Sequence, residues 1–144
     1  MAYHQIDDLR VARNAFYLGD FSQCVKEASS LGPSVPYADI YRLRALAELN
    51  PAAVDEAVTN TSPISMQSIK LYVMYKLHKQ TPQHRQAAID TFTAWLKDPD
   101  FGRDSVLQLT AASVFFLDGN AKEALRLSSI DPTNNLEKYV SPVD

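Results

Sequence analysis

Apolar positions along the chain recur at steps of three and four. Leu9, Val11, Ala12, Ala15, Phe16 and Leu18 form such a stripe, which predicts an amphipathic helix. Gly19-Asp20 interrupts it. Glycine accepts the left-handed turn that ends a helix, and aspartate caps the next one. A second helix from about Phe21 to Leu31 follows, with Phe21, Cys24, Val25, Ala28 and Leu31 on one face, and Gly32-Pro33 and Pro36 stop it.

The same unit returns three times. Tyr37 to Leu49 reads as helix, then Asn50-Pro51 as a cap and first-turn proline, then Ala52 to Val58 as a short partner helix. Ile64 to Leu77, a turn at Thr81-Pro82 and His84 to Leu96 form the third pair. Asp104 caps Val106 to Leu117, Asp118-Gly119-Asn120 turns, and Ala121 to Leu127 is the last helix. No segment alternates with the period of a strand. The turns at Gly19, Asn50, Thr81 and Gly119 lie 31, 31 and 38 positions apart. Helix-turn-helix units recurring at about 34 residues are the tetratricopeptide signature. The expected fold is therefore all-α, an α-solenoid of about four tetratricopeptide-like hairpins over residues 7–130. The pairs fall at about 7–31, 37–59, 64–97 and 104–129, and residues 131–144 read as a C-terminal tail or the start of a truncated repeat. Small residues such as Cys24, Ala28, Ala88, Ala112 and Ala124 belong where helices approach closely, with aromatic rings filling the space beside them.

Composition narrows what such a stack does. A formal net charge of -3 over 144 residues argues against wrapping nucleic acid, which calls for a basic face. One cysteine makes neither an internal disulfide nor a cysteine-based zinc site, so a reducing compartment and a cytoplasmic protein are expected. The first residues lack a basic start and an apolar run, and no stretch approaches the roughly 18 apolar residues of a membrane span, so any membrane contact is expected to run through partners. No Gly-x-Ser-x-Gly elbow and no glycine-rich phosphate loop occurs. Cys24 sits on an apolar stripe, where a small packed residue is expected rather than a reactive thiol. His78 and His84 flank the Thr81 turn without an acid between them and read as solvent-exposed helix ends rather than metal ligands. No catalytic site, cofactor or metal is expected.

Several basic residues fall on the first helix of their pair, among them Arg10, Arg13, Arg42, Arg44, Lys70 and Lys76. In a tetratricopeptide stack that helix lines the inner wall. Ile40–Arg44 and Gln67–Leu71 do not supply the asparagine and lysine-arginine set of a terminal-carboxylate clamp, which disfavours that use.

Two stretches go beyond the generic repeat. Arg13-Asn14-Ala15-Phe16-Tyr17-Leu18-Gly19-Asp20-Phe21-Ser22-Gln23-Cys24-Val25-Lys26-Glu27-Ala28 resembles the opening of the coatomer epsilon subunit. Leu109-Thr110-Ala111-Ala112-Ser113-Val114-Phe115-Phe116-Leu117-Asp118-Gly119-Asn120, continued by Ala124-Leu125-Arg126, is similar to that family's fourth-repeat segment. Tyr41-Arg42 with Ala45-Leu46-Ala47 matches its second repeat in character, whereas Val54 to Phe101 resembles it only in helix pattern. The likeness covers most of the first 130 residues. It departs at Asn134 to Asp144, where the family continues with further repeats.

The resemblance implies a non-catalytic subunit of the COPI coat in Golgi-to-ER and intra-Golgi transport, peripheral on Golgi and vesicle membranes. It implies that the repeats bind and steady the C-terminal region of the coatomer alpha subunit, and meet other coat subunits only indirectly. Candidate interface residues on the inner wall are Arg10, Asn14, Tyr17, Tyr41, Arg44, Tyr72, Tyr75 and Phe116, because aromatics and arginines anchor protein interfaces. Core packing competes with that role at each, and evenly so for Tyr17, Tyr72 and Phe116. The alternative function is an unrelated tetratricopeptide adaptor that binds a peptide of its partner. An uncapped solenoid end also leaves apolar surface in water, which favours self-association there.

Overall fold

A computed structural model describes residues 2–32 and 34–128, with side chains from residue 9 onward. Eight α-helices and one 3-10 turn make up the described residues, with no strand among them. The all-α class of successive helix hairpins is therefore the observed one. The tail expected at 131–144 lies outside the described residues.

The chain divides into two compact units, Met1–Thr59 and Asn60–Asp144. In the first, α1 (Ala2–Tyr17) packs on α2 (Phe21–Ser30), α2 on α3 (Ala38–Leu49), and α3 on α4 (Pro51–Ala57). In the second, α5 (Ile64–His78) packs on α6 (Pro82–Lys97) and on α7 (Ser105–Leu117), and α7 on α8 (Ala121–Ser128). The 3-10 turn Phe101–Arg103 joins α6 to α7.

Local chemistry sets these boundaries. Gly19 and Gly119 take φ of +83° and +90°, the left-handed conformation that costs glycine least. Asp20 then accepts the Gln23 amide at 3.2 Å, Asp104 the Leu107 amide at 2.8 Å, and Asn120 the Glu123 amide at 3.2 Å. Each satisfies a donor that the first helical turn leaves open. Asn50 and Thr81 precede first-turn prolines and make no side-chain capping bond. Proline has no N–H to satisfy and its φ is already helical, so the helix starts without that bond. Asp104→Ala is thus expected to cost about 1 kcal/mol in urea unfolding, while Thr81→Ala costs under half of that.

Two helix starts differ from the periodic reading. The first helix begins at Ala2 rather than near Asp7, since no glycine or proline lies between them to stop it. α3 begins at Ala38, because Tyr37 takes a φ of +68°, a left-handed conformation that breaks the helix after Pro36.

The core of the first unit holds Ala12, Cys24, Tyr41, Leu43, Ala45 and Val54, all fully buried. That of the second gathers Tyr75, Ala88, Phe92, Leu107, Ala111, Val114, Phe115 and Leu127. Small residues occupy the inward positions of the helices, as close approach requires.

Candidate functional site

In the first unit an aromatic cluster forms where α1, α2 and α3 meet. The Phe16 ring lies 5.2 Å from Tyr17, 5.7 Å from Phe21 and 5.8 Å from Tyr41, all edge to face. Tyr17 and Tyr41 meet at 6.3 Å. Such pairs add about 0.5–1.5 kcal/mol beyond area burial. The Arg44 guanidinium sits 4.4 Å over the Phe16 ring and 5.9 Å from that of Tyr41. A cation held over an aromatic face is attracted by the negative face of the ring. One turn of helix spaces Arg10, Asn14 and Tyr17 along α1, and all three are exposed, while Leu9, Ala12 and Ala15 are buried.

Tyr41 is fully buried, and its hydroxyl finds no hydrogen-bond partner among the described residues. A buried hydroxyl left unpaired costs about 1–3 kcal/mol. Burial pushes the phenol up to about 12, against the positive charges of Arg44 and Arg13. Beneath it the Cys24 thiol, also fully buried, donates to the Tyr41 carbonyl at 3.6 Å. Burial raises that thiol to about 11, with Arg44 opposing. Only the thiolate reacts, so Cys24 is held in its inert form.

These raised values fix a pH dependence. The unfolded chain loses these protons first, so it binds fewer protons than the folded chain once pH passes about 9. Stability is therefore complete below about pH 9 and falls as pH rises toward about 12. Thermal melts from pH 8 to 11.5 check this. The decline should flatten in the first unit of Cys24→Ala.

In the second unit, Tyr75 is buried and donates its hydroxyl proton to Asp118 at 3.0 Å. The Arg85 guanidinium lies 3.5 Å from the same carboxylate oxygen. Burial is the first cause that lifts the Tyr75 phenol to about 12, and the Asp118 bond and charge add to it. The group ties α5 and α6 to the end of α7. Tyr72 is half-buried with the Lys76 ammonium 5.2 Å over its ring. Phe116 is 65% exposed on α7. His78 is half-buried, His84 is exposed, and their rings stand 5.1 Å apart. Among the described residues no three histidines, cysteines or acids are placed to hold a metal ion. No helix there is long and apolar enough to cross a membrane.

Of the eight candidates, then, the structure brings Tyr17, Tyr41 and Arg44 into one cluster. Arg10 and Asn14 run along the same helix as Tyr17. Tyr75 belongs to a separate polar group, Tyr72 carries its own cation, and Phe116 stands in solvent. The candidate interface set drawn from the sequence omits Phe16, Arg13, Arg85 and Asp118, although Arg13 was read among the basic residues of the first helices. Phe16 was visible as a member of the α1 stripe. The Tyr75–Asp118 bond spans 43 positions and left no local signal.

The match to known proteins decides what this arrangement belongs to. The family model described as the coatomer epsilon subunit covers residues 5–143, nearly the whole chain. The chain belongs to the coatomer epsilon subunit family. It is 26% identical over 130 residues to coatomer subunit epsilon-1 of Arabidopsis thaliana, covering 83% of this chain and 41% of that one. With coatomer subunit epsilon-2 of the same plant it shares 27% identity over 134 residues, 90% of this chain and 45% of the relative. The chain thus spans less than half the length of the curated coatomer relatives it matches. The matched span takes in nearly all of both helical units.

Proposed function

We propose that the chain is a non-catalytic structural element of the COPI coat that binds and steadies the C-terminal region of the coatomer alpha subunit. The observation that carries this reading is the face of α1. Arg10, Asn14 and Tyr17 stand exposed beside the Phe16–Arg44 stack, in a chain of the epsilon family. Arginine and tyrosine supply contact area with directed donors, and such residues dominate binding energy at interfaces. In this reading Tyr41 and Tyr75 are internal supports, because both are buried. Arg10, Asn14, Tyr17, Arg44, Tyr72 and Phe116 are the residues with surface to offer. The residues 7–130 work as one repeat domain, and membrane contact at the Golgi runs through the rest of the coat. Other coat subunits are reached through alpha.

The burial of the Cys24 thiol is in keeping with a packing role for that residue. The experiment is a pull-down of the chain with the alpha C-terminal region, run beside a titration with short peptides carrying free C-termini. Stoichiometric capture of the folded region and none of the peptides is expected. Capture of the peptides alone establishes a peptide adaptor instead.

A further inference from the structure

The proposed function leaves His78 and His84 without a role. From the sequence they read as two separate solvent-facing helix ends, and the structure shows a pairing that spacing does not. His78 is the last residue of α5 and His84 the third of α6, and the turn between them folds the second helix back along the first. The backbone beneath both rings is held. The Thr81 amide donates to the His78 carbonyl at 2.9 Å, and the Arg85 guanidinium donates to the Lys79 carbonyl at 2.8 Å. The imidazole rings stand 5.1 Å apart, tilted by 42°, and neither makes a hydrogen bond to a described residue. His84 is exposed and His78 half-buried, so solvent reaches the pair. Two zinc–nitrogen bonds of about 2.0–2.1 Å at a tetrahedral angle put the centroids of two imidazoles about 5 Å apart. The observed spacing is the one a shared ion requires.

We propose that His78 and His84 together bind one divalent ion of the imidazole-preferring class, such as Zn²⁺, at the α5–α6 turn. Imidazole nitrogen suits these borderline ions, whereas Mg²⁺ calls for oxygen ligands. Water completes the coordination, since no third histidine, cysteine or acid among the described residues is placed to join. The surrounding charge permits it. Arg85 is met by Asp118 at 3.5 Å, and Lys79 is exposed, where solvent and salt screen it. The ion links the end of one helix to the start of the next. It therefore favours the folded hairpin over the unfolded chain, in which the two ligands are not held together. The inference is independent of the proposed binding to alpha.

Calorimetric titration of the full chain, free of any histidine tag, with Zn²⁺ and separately with Mg²⁺ tests it, using wild type, His78→Gln, His84→Gln and the double variant. Wild type should take up one Zn²⁺ per chain and no Mg²⁺. Each single variant should bind Zn²⁺ at least about 10-fold more weakly, the scale on which metal sites respond even to loss of a supporting group. The double variant should add little further loss, because either substitution alone already breaks the chelate. Zn²⁺ at about 100 times its dissociation constant should raise the melting temperature of wild type by at least about 4 °C. The same ion concentration should leave the single variants nearly unmoved. Without metal all four chains should melt together, since both rings lie toward the surface. Wild-type affinity in either single variant overturns the pair, because the ion then sits on one histidine or elsewhere. Several weak ions per chain, or no uptake at all, overturn it as well, the former as adventitious binding only. So does a wild-type melting temperature that saturating Zn²⁺ does not raise, because the ion then fails to fasten the hairpin.

Discussion

Phe92→Ala is expected to remove about 3–5 kcal/mol of stability from the second unit, the range for truncating a buried phenylalanine. Phe92 is fully buried among Ala88, Leu107, Ala111 and Phe115, and meets Trp95 edge to face at 6.0 Å. Its removal takes the transfer energy of the ring and also leaves a hole that helices held by their own hydrogen bonds close only in part. Native stability is on the order of 5–15 kcal/mol, so this single change takes a large share of it. Trp95 is the chain's one tryptophan and reports directly on this core. Urea unfolding followed by its fluorescence should show the midpoint fall with the slope unchanged. Phe116→Ala is the control. With its ring 65% exposed, that change should stay within about 0.5 kcal/mol.

Gly102→Ala is the second large effect, expected at about 3 kcal/mol. A β-carbon at this position would stand 2.5 Å from the Leu96 carbonyl oxygen and 3.3 Å from its carbon. These are backbone atoms at the end of α6, so no rotamer relieves the overlap and the 3-10 turn must move. The turn is tightly tied. The Gly102 amide donates to the Asp98 carbonyl at 2.8 Å, and the Asp98 carboxylate accepts the Asp100 and Phe101 amides at 2.8 and 3.0 Å. The Gly102 carbonyl accepts from the amide of Gln108, a buried side chain, at 2.7 Å. Displacing the turn therefore adds an unpaired buried amide, worth about 1–3 kcal/mol, to the steric cost. Gly119→Ala makes a useful contrast. Nothing lies within 4 Å of its added carbon, so only the positive φ opposes it, at about 1–2 kcal/mol. Circular dichroism melts of the two variants rank the mechanisms.

The difference between those glycines shows what sequence can carry. Gly19 and Gly119 stand at the breaks of apolar stripes, where a left-handed residue is needed, and the stripes themselves locate them. Gly102 is required by an atom of Leu96, and only the path of the backbone after Asp98 brings the two together. The same division runs through the candidate site. Helix spacing puts Arg10, Asn14 and Tyr17 on one face because the period of 3.6 is a property of the backbone alone. It also identifies Cys24 as a packed residue. Spacing does not tell Tyr41 from Phe116, since both are aromatic residues on the first helix of a hairpin. One is fully buried under α1 and α2 and the other lies in solvent, and only the neighbouring helices decide which. The break between units at Thr59 and Asn60 has a partial signal in the short α4 and the polar run that follows it. The family likeness rests on the Asn14–Cys24 block and the Ala111–Asn120 block, and the match over residues 5–143 extends it across the central stretch where only helix pattern was legible.

The proposed function makes the chain a holder of a folded partner, and the mass of the chain in solution with the coatomer alpha C-terminal region tests this most directly. Light scattering on a column-separated mixture should give a single species whose mass is the sum of one copy of each. Two separate peaks at their individual masses, at concentrations of about 50 μM, well above those at which specific interfaces associate, would contradict it.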